Sequence, residues 1–310
     1  MTRVLVTGAR GFVGRHAVDA LAARGHEVVA VTSRAREEAH RPGVQSVGCD
    51  LLQPGAADAL VAATRTSHLL HLAWYAEHGA FWGSTHNLEW VGASLRLLRA
   101  FTEAGGQRAV VAGSCAEYAW GLEGRAVEGR TPMAPATLYG AAKHGLGVVA
   151  QAYASQERLS LAWGRIFFCF GPGEPPGRLV PSVARALLRG EEALVTHGDQ
   201  IRDFLAIEEL ADAFAVLLES PVEGPVNVAS GEPIALRELI AMIGQAAGQP
   251  HLIRYGALAP RPDEPAQILA DVERLRDEVG WCPREPLEDA VARTVQWWRE
   301  QDAGARVTTH

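Results

Sequence analysis

Cysteine is scarce in this chain. Cys49, Cys115, Cys169 and Cys282 are spread over 310 residues and no two of them form a CxxC pair. Such spacing argues against a disulfide framework or a cysteine-rich zinc site and fits a reducing compartment. No other metal-ligand set is recognised. Clustered positive charge is also missing, because the formal net charge is −7 and no block of like charges stands out. A nucleic-acid-binding stripe would need clustered Lys and Arg, so no nucleic-acid partner is expected. Apolar runs reach only strand length, too short to span a membrane. The first residues lead directly into RVLVTGARG, a strand and a turn rather than a charged leader with an apolar stretch. The expectation is a soluble, cytoplasmic protein.

What the chain does have is alternation. Apolar residues make up 48% of it, enough at this length for a sizeable core. Short apolar runs at 3–7, 27–32, 44–49, 68–72, 108–112 and 160–167 read as strands, and the segments 12–24, 84–104 and 138–156 read as helices. The runs lack period-two alternation, as expected for a parallel sheet buried on both faces. The predicted fold class is α/β, a Rossmann-type doubly wound parallel sheet. GPGEPPG, at 171–177, reads as a loop. Beyond it, helices near 181–188, 207–218, 236–247 and 287–300, with short strands near 193–196 and 225–228, read as a smaller, mainly helical lobe. The expected division is a dinucleotide-binding domain over 1–170, with some later segments interleaved, and a substrate lobe over 171–310.

VLVTGARGFVG sets Gly8, Gly11 and Gly14 between the first strand and the first helix. A pyrophosphate site there needs a tight turn, close backbone approach and a helix seated near the strand. The helix N-terminus then offers N–H groups to phosphate. The spacing is GxxGxxG, not the simpler GxGxxG. The end of the second strand selects the cofactor. An acid there would accept from ribose hydroxyls, but the chain has Thr32, Ser33 and Arg34, and Arg10 lies inside the turn. Hydroxyl and guanidinium groups suit the 2′-phosphate of NADP, with NAD as the alternative. The other reading of Arg34 and Arg36 is as solvated loop charges. Asp50, after the third strand, reads either as an acceptor for adenine or as a turn cap.

TLYGAAKHG places Tyr139 and Lys143 four apart on one helix face. A neighbouring ammonium favours a phenolate, and a tuned phenol exchanges a proton with a hydroxyl or carbonyl. GSCAEYAW, at 113–120, brings Ser114, Cys115 and Glu117 to the carboxyl edge of the sheet, where such folds bind ligands. Glu117 has two readings, a carboxylate touching substrate hydroxyls or a buried partner for a nearby donor. His71 reads as a structural histidine. Trp74, Tyr75, His78, Phe81 and Trp82 read either as the wall of a partly wet pocket or as packing.

TGxxGxxG (7–14), Asp50-Leu51, HLAW (71–74), Ser114 and YxxxK (139–143) together resemble the extended short-chain dehydrogenase/reductase family. The resemblance continues through GRIFFCFGP (164–172), RDF (202–204), NVASGE (227–232), RPDEP (261–265) and LRDEVGWCP (275–283), so it covers almost the whole chain. It implies an NAD(P)-dependent oxidoreductase. The cofactor would lie against Gly8, Arg10, Gly11, Phe12, Val13, Gly14, Ser33, Arg34, Asp50, Leu51, Leu72, Ala73, Trp74, Tyr139 and Lys143. Catalysis would fall to Ser114, Tyr139 and Lys143, with Ser114 hydrogen-bonding the reacting oxygen and Lys143 holding ribose hydroxyls. The resemblance further implies a nucleotide-sugar substrate near Ser114, Cys115, Glu117, Phe168, Arg178, Leu179, Arg202 and Arg261. Arg202 and Arg261 would grip its diphosphate, an Arg202–Asp203 ion pair being the other reading for Arg202. Tyr118 would pack near the site. A homodimer through the helices 84–104 and 138–156 is implied as well.

Within this family the reaction depends on the surroundings of the hydride site. Sugar dehydratases that resemble one another carry Thr-Asp-Glu where this chain has Ser114, Cys115 and Ala116, so elimination of water is disfavoured. Epimerase/reductases of the GDP-fucose type carry a Cys two residues after the Ser, where Ala116 stands. Simple hydride transfer remains. The expectation is an NADPH-dependent 4-ketoreductase of a nucleotide-activated deoxysugar with Tyr139 as proton donor. An NAD-dependent 4-epimerase is the alternative, and a non-catalytic dinucleotide-binding regulator is a third reading. Phe168 departs from the RxxNxYGP block by replacing its Asn, which keeps small hydroxy-carbonyl substrates open.

Overall fold

The computed structural model describes residues 2–33, 41–121, 123–260 and 264–307. The first half alternates as expected: β1 (Arg3–Thr7), α1 (Phe12–Ala23), β2 (Glu27–Thr32), β3 (Val44–Gly48), α2 (Ala56–Thr64), β4 (His68–His71), α3 (His86–Glu103), β5 (Arg108–Ser114), α4 (Leu138–Glu157) and β6 (Ser160–Ile166). The second half holds β7 (Phe168–Phe170), α5 (Leu179–Leu188), β8 (Ala193–Leu194), β9 (Ile201–Ala206), α6 (Ile207–Glu219), β10 (Gly224–Val228), β11 (Pro233–Ala235), α7 (Leu236–Ala247), β12 (Ile253–Arg254), β13 (Gln267–Ile268) and α8 (Leu287–Val307).

Seven strands form one sheet in the order β10-β6-β5-β4-β1-β2-β3, and every pairing in it is parallel. Why the strands lack alternation is visible in the packing. Val4, Val6, Val28, Leu70 and Val110 face one helical layer, while Leu5, Val29, Leu69, Val111 and Trp163 face the other. Both faces are dry, so both parities must be apolar. The strand order reverses direction between β1 and β4, and the crevice beyond their carboxyl ends is where a doubly wound sheet receives its ligand.

The segment 225–228, read from the sequence as part of the smaller lobe, instead adds β10 to the outer edge of β6. Its predecessor α6 packs on α1 and buries Ile207, Leu210, Phe214 and Leu217 against the main sheet. An uncovered β6 would leave a ladder of unsatisfied backbone groups, and β10 removes that edge. The chain then returns to the smaller lobe. There β9 pairs with β7, β11 and β13, and α5, α7 and α8 pack together over a separate core that includes Phe170, Leu187, Leu239 and Val291. No helix among the described residues is long and apolar enough to cross a membrane.

Candidate active site

The glycine turn closes between β1 and α1. Gly8 has a φ of +68°, and a Cβ there would stand 2.8 Å from the Ala73 nitrogen. A side chain on Gly14 would collide with the Gly8 carbonyl. Both glycines thus let α1 and the end of β4 close on the turn. No side chain caps α1 and no acid lies in its first turn, so its N-terminal amides and dipole remain available to an anion. The cradle fits the pyrophosphate of a dinucleotide, and Gly11, Phe12 and Val13 lie along it.

The crevice floor is fixed by a hydrogen-bond chain. The amides of Leu72 and Ala73 both donate to Thr7 Oγ1, at 3.2 Å each. With its lone pairs so engaged, the Thr7 hydroxyl donates to His71 Nδ1 at 2.7 Å, and His71 Nε2–H donates to Ser94 Oγ at 2.8 Å. Burial, aided by the nearby Lys143 charge, pushes His71 down to about 3. It is a neutral strut, as the structural reading expected. Asp50 takes the turn role: its Oδ1 accepts from Leu52 N at 3.1 Å and its Oδ2 from Gln53 Nε2 at 3.0 Å. The Leu51 side chain is buried in the core. Ser33 ends the second strand region, but Arg34, Arg36 and Arg261 lie outside the described residues.

Tyr139 and Lys143 sit on the first turns of α4, whose start is capped by Thr137 accepting from Gly140 N at 3.1 Å. Gly140 presses on the short turn Cys115–Glu117, and a side chain there would collide with the Ala116 carbonyl. This contact carries Tyr139 to the side of Ser114. Burial nevertheless dominates and holds the Tyr139 phenol above its ordinary range, Ser114 working against it. The neighbouring ammonium was expected to lower this phenol; in the folded chain the opposing effect comes from Ser114, and desolvation outweighs it. Lys143 Nζ donates to the Ala112 carbonyl at 2.8 Å and stands 3.8 Å from the centroid of the Trp74 ring. Burial pulls Lys143 down to about 7, with Glu117 acting in the opposite direction.

Aromatic rings wall in this pair. Trp74, Phe81 and Trp82 lie 6.5, 4.8 and 5.7 Å from Tyr139, centroid to centroid, each edge to face. Trp82 also meets Trp120 at 5.8 Å. The Tyr139 amide donates to the Trp82 carbonyl at 3.0 Å, so the loop after β4 is tied to the start of α4. Tyr75 and His78 stand outside this wall: Tyr75 stacks with His86 and donates to Glu77, and His78 is exposed.

Glu117 takes the second of its two readings, a buried partner for nearby donors. Its side chain is fully buried, so it cannot touch substrate. Its Oε1 accepts from Ser114 N at 2.8 Å and from Trp163 Nε1 at 2.9 Å, and its Oε2 meets Arg165 Nε at 2.8 Å. Arg165 in turn donates to Tyr118 OH at 3.0 Å, and Tyr118 donates to Asn227 Oδ1 at 2.7 Å. This network braces the turn that carries Ser114 from behind. Cys115 is a buried thiol pushed up to about 12 by burial and Glu117, so it is no nucleophile. It faces a cavity of about 380 Å³ lined also by Tyr118, Trp120, Arg125, Arg130 and Ile268.

On the lobe side, Arg202 is buried and its guanidinium lies 5.5 Å from the Phe168 ring. It pairs with Glu264 at 3.0 Å rather than with Asp203, because Asp203 is held by Ser230 and the Gly231 amide. Arg178 meets Glu174 at 3.0 Å and hangs over the Phe12 ring, and Leu179 opens α5 behind it. Glu264 and Glu174 were not foreseen, since nothing in local spacing links them to their arginines as a site. Among the described residues no cluster suited to a metal ion occurs.

Comparison with known proteins agrees with this geometry. The model of the family described as NAD dependent epimerase/dehydratase matches residues 4–229. The chain is 28% identical to UDP-glucuronic acid decarboxylase 1 of Xenopus tropicalis, over 96% of this chain and 72% of that one. It is 28% identical to UDP-glucose 4-epimerase of Mycolicibacterium smegmatis, over 96% and 99%. Among solved structures, UDP-glucose 4-epimerase of Thermus thermophilus in complex with NAD superposes with a TM-score of 0.84 at 27% identity, covering 96% of this chain and 99% of that one. A glycine cradle at the switch point, a Ser–Tyr–Lys set on β5 and α4, and this match over most of the sequence converge: the chain belongs to the NAD dependent epimerase/dehydratase family and is an NAD(P)-dependent enzyme of the extended short-chain dehydrogenase/reductase type.

Proposed function

We propose that the chain reduces a keto group on a nucleotide-linked deoxysugar, using NADPH. The observation that carries this reading is the phenol of Tyr139, held protonated by burial, beside Ser114, while Glu117, the carboxylate of the same turn, is fully buried behind it. Ser114 and Tyr139 would both hydrogen-bond the reacting oxygen, and Tyr139 would deliver its proton as that oxygen becomes an alkoxide. Lys143 would hold the ribose of the cofactor and stabilise the phenolate left behind. The dinucleotide supplies the hydride when it is bound. Gly8, Gly11 and the α1 N-terminus would hold its pyrophosphate, and Ser33 with Arg10 and Arg34 would favour a 2′-phosphate. Arg178 and Arg202 would meet the sugar diphosphate, in exchange for their present carboxylate partners. Phe168, Trp82 and Trp120 present apolar faces, which suit a sugar lacking a hydroxyl.

The 4-epimerase reading is favoured by the relatives, whose names include UDP-glucose 4-epimerases. The decisive experiment follows absorbance of NADPH with a panel of nucleotide 4-keto-6-deoxyhexoses, and separately incubates the chain with simple UDP-hexoses and no added cofactor. Oxidation of NADPH in the first supports the ketoreductase. Interconversion in the second, with none in the first, replaces it by the epimerase. For assembly we infer a homodimer through α3 and α4, which pack side by side and expose Leu88, Val148 and Val149. Sedimentation of Val149→Asp as a monomer, against a dimeric parent, would support it.

A further inference from the structure

Lys143 is the only lysine among the 29 Lys and Arg residues of the chain. Its side chain is 4% exposed, yet among the described residues no carboxylate comes within ion-pairing distance of its Nζ. Glu117, the charge that most favours its protonated form, is already engaged by Arg165 at 2.8 Å. An ammonium buried without a counter-ion is costly. Among the described residues its strong partners are the Ala112 carbonyl and the face of Trp74, 3.8 Å away.

We propose that Trp74 is the positioning residue for Lys143, its indole face standing in for a carboxylate counter-ion and keeping the buried side chain charged. Indole is the best of the aromatic faces for a cation, and the attraction grows when water is excluded. The ring is also held rigidly. Trp74 Nε1 donates to Asn87 Oδ1 at 2.8 Å, and the fully buried Asn87 donates in turn to the carbonyls of Phe81 and Ser84 at 2.7 and 2.8 Å. Trp90 backs the ring at 6.4 Å. A carboxylate in the same place would cancel the field of the ammonium. A π face stabilises the charge and leaves that field intact for His71 below, where it is felt.

Among the described residues, the titratable and charged groups around Lys143 are few. From β4 comes His71, kept neutral by Thr7 and Ser94. From the end of β5 come Ser114, Cys115 and Glu117, with Arg165 behind. Its own helix contributes Tyr139 and His144, and the loop after β4 contributes Trp74, its Glu77 and His78 lying on the exposed part. With burial and Glu117 balanced so that Lys143 sits near neutrality, a fall of one pH unit in its midpoint would cut its charged fraction at pH 7 from about one half to about one tenth.

A lone lysine makes the test direct and independent of the sugar chemistry. The full chain, labelled with ¹³C-lysine, carries a single side-chain Cε signal, which is titrated from about pH 5 to about pH 10. Trp74→Leu is expected to lower the midpoint by on the order of one unit, and Trp74→Phe by less. The parent chain grown on fluorotryptophan, which keeps the ring's shape and thins its π cloud, is expected to shift in the same direction. It decides the matter if Trp74→Leu does not fold. A midpoint that stays at the parent value, or rises, in the fluorinated chain or in a folded Trp74→Leu overturns the proposal. Failure of every keto-sugar in the panel would leave this titration untouched.

Discussion

Tyr139, Ser114 and Glu117 occupy one small volume but answer to different physics. Tyr139 and Ser114 meet across the Cys115–Glu117 turn and point chemistry outward. Glu117 points inward and holds the turn in place. Replacing Tyr139 by Phe removes only the hydroxyl and the proton it carries, so a folded protein with turnover lowered on the order of 10²- to 10⁴-fold is expected, measured under saturating substrate. Ser114→Ala should lose less, because the phenol remains. Glu117→Gln tests the opposite role. It strips the charge that compensates buried Arg165, and breaking such a pair costs about 3–5 kcal/mol. Urea unfolding should show that loss, while the residual folded fraction keeps its cofactor affinity. A Glu117→Gln protein of parental stability with weakened substrate binding would restore the carboxylate to the pocket.

At the scale of elements, what could be read in advance was whatever lies within one turn or one strand. The Gly8–Gly14 spacing, the four-residue offset of Tyr139 and Lys143, and the position of Ser114 at a strand end are local patterns with local causes. Arg165–Glu117, Arg202–Glu264 and Lys143–Trp74 join residues far apart in sequence, and only the folded sheet brings them together. The loop 171–177 shows the same divide. Its Pro and Gly content marks it as a loop, but nothing in it announces that Glu174 is 3% exposed, with one oxygen facing Arg178 and the other without a hydrogen-bond partner. Burial raises this carboxyl from 4.5 to about 7 despite Arg178. The folded state therefore holds a proton that the unfolded chain releases between about pH 4.5 and 7, so the contribution of Glu174 to stability falls as pH rises through that window. The full shift amounts to on the order of 3 kcal/mol. Comparing the parent with Glu174→Gln cancels the other titrating groups. The parent is expected to lose a few degrees of Tm relative to the variant between about pH 5 and about pH 8. Parallel curves would show the carboxyl to be ionised throughout.

For the whole molecule, the order of elements along the chain decides how it can be divided. The glycine cradle, Ser114, Tyr139 and Lys143 all lie before residue 170, yet the sheet that positions them is completed by β10, and the layer under α1 is completed by α6. Between β6 and α6 the chain has already built β7, α5, β8 and β9, most of which belongs to the other core. The lobes are thus threaded through each other rather than joined by a linker. Ile207, Leu210, Phe214 and Leu217 alone, each buried against the main sheet, contribute about 1.5–3 kcal/mol apiece. Their sum is comparable to the roughly 5–15 kcal/mol that separates a folded domain from its unfolded chain. A fragment of residues 1–170 is therefore expected to show no cooperative thermal transition, although it carries every residue of the proposed catalytic set. The intact chain should unfold in one transition, with the two cores lost together. Calorimetry of both would decide it: a cooperative endotherm from the fragment, or two resolved endotherms from the intact chain, would show that α6 and β10 are an addition to an independently stable sheet.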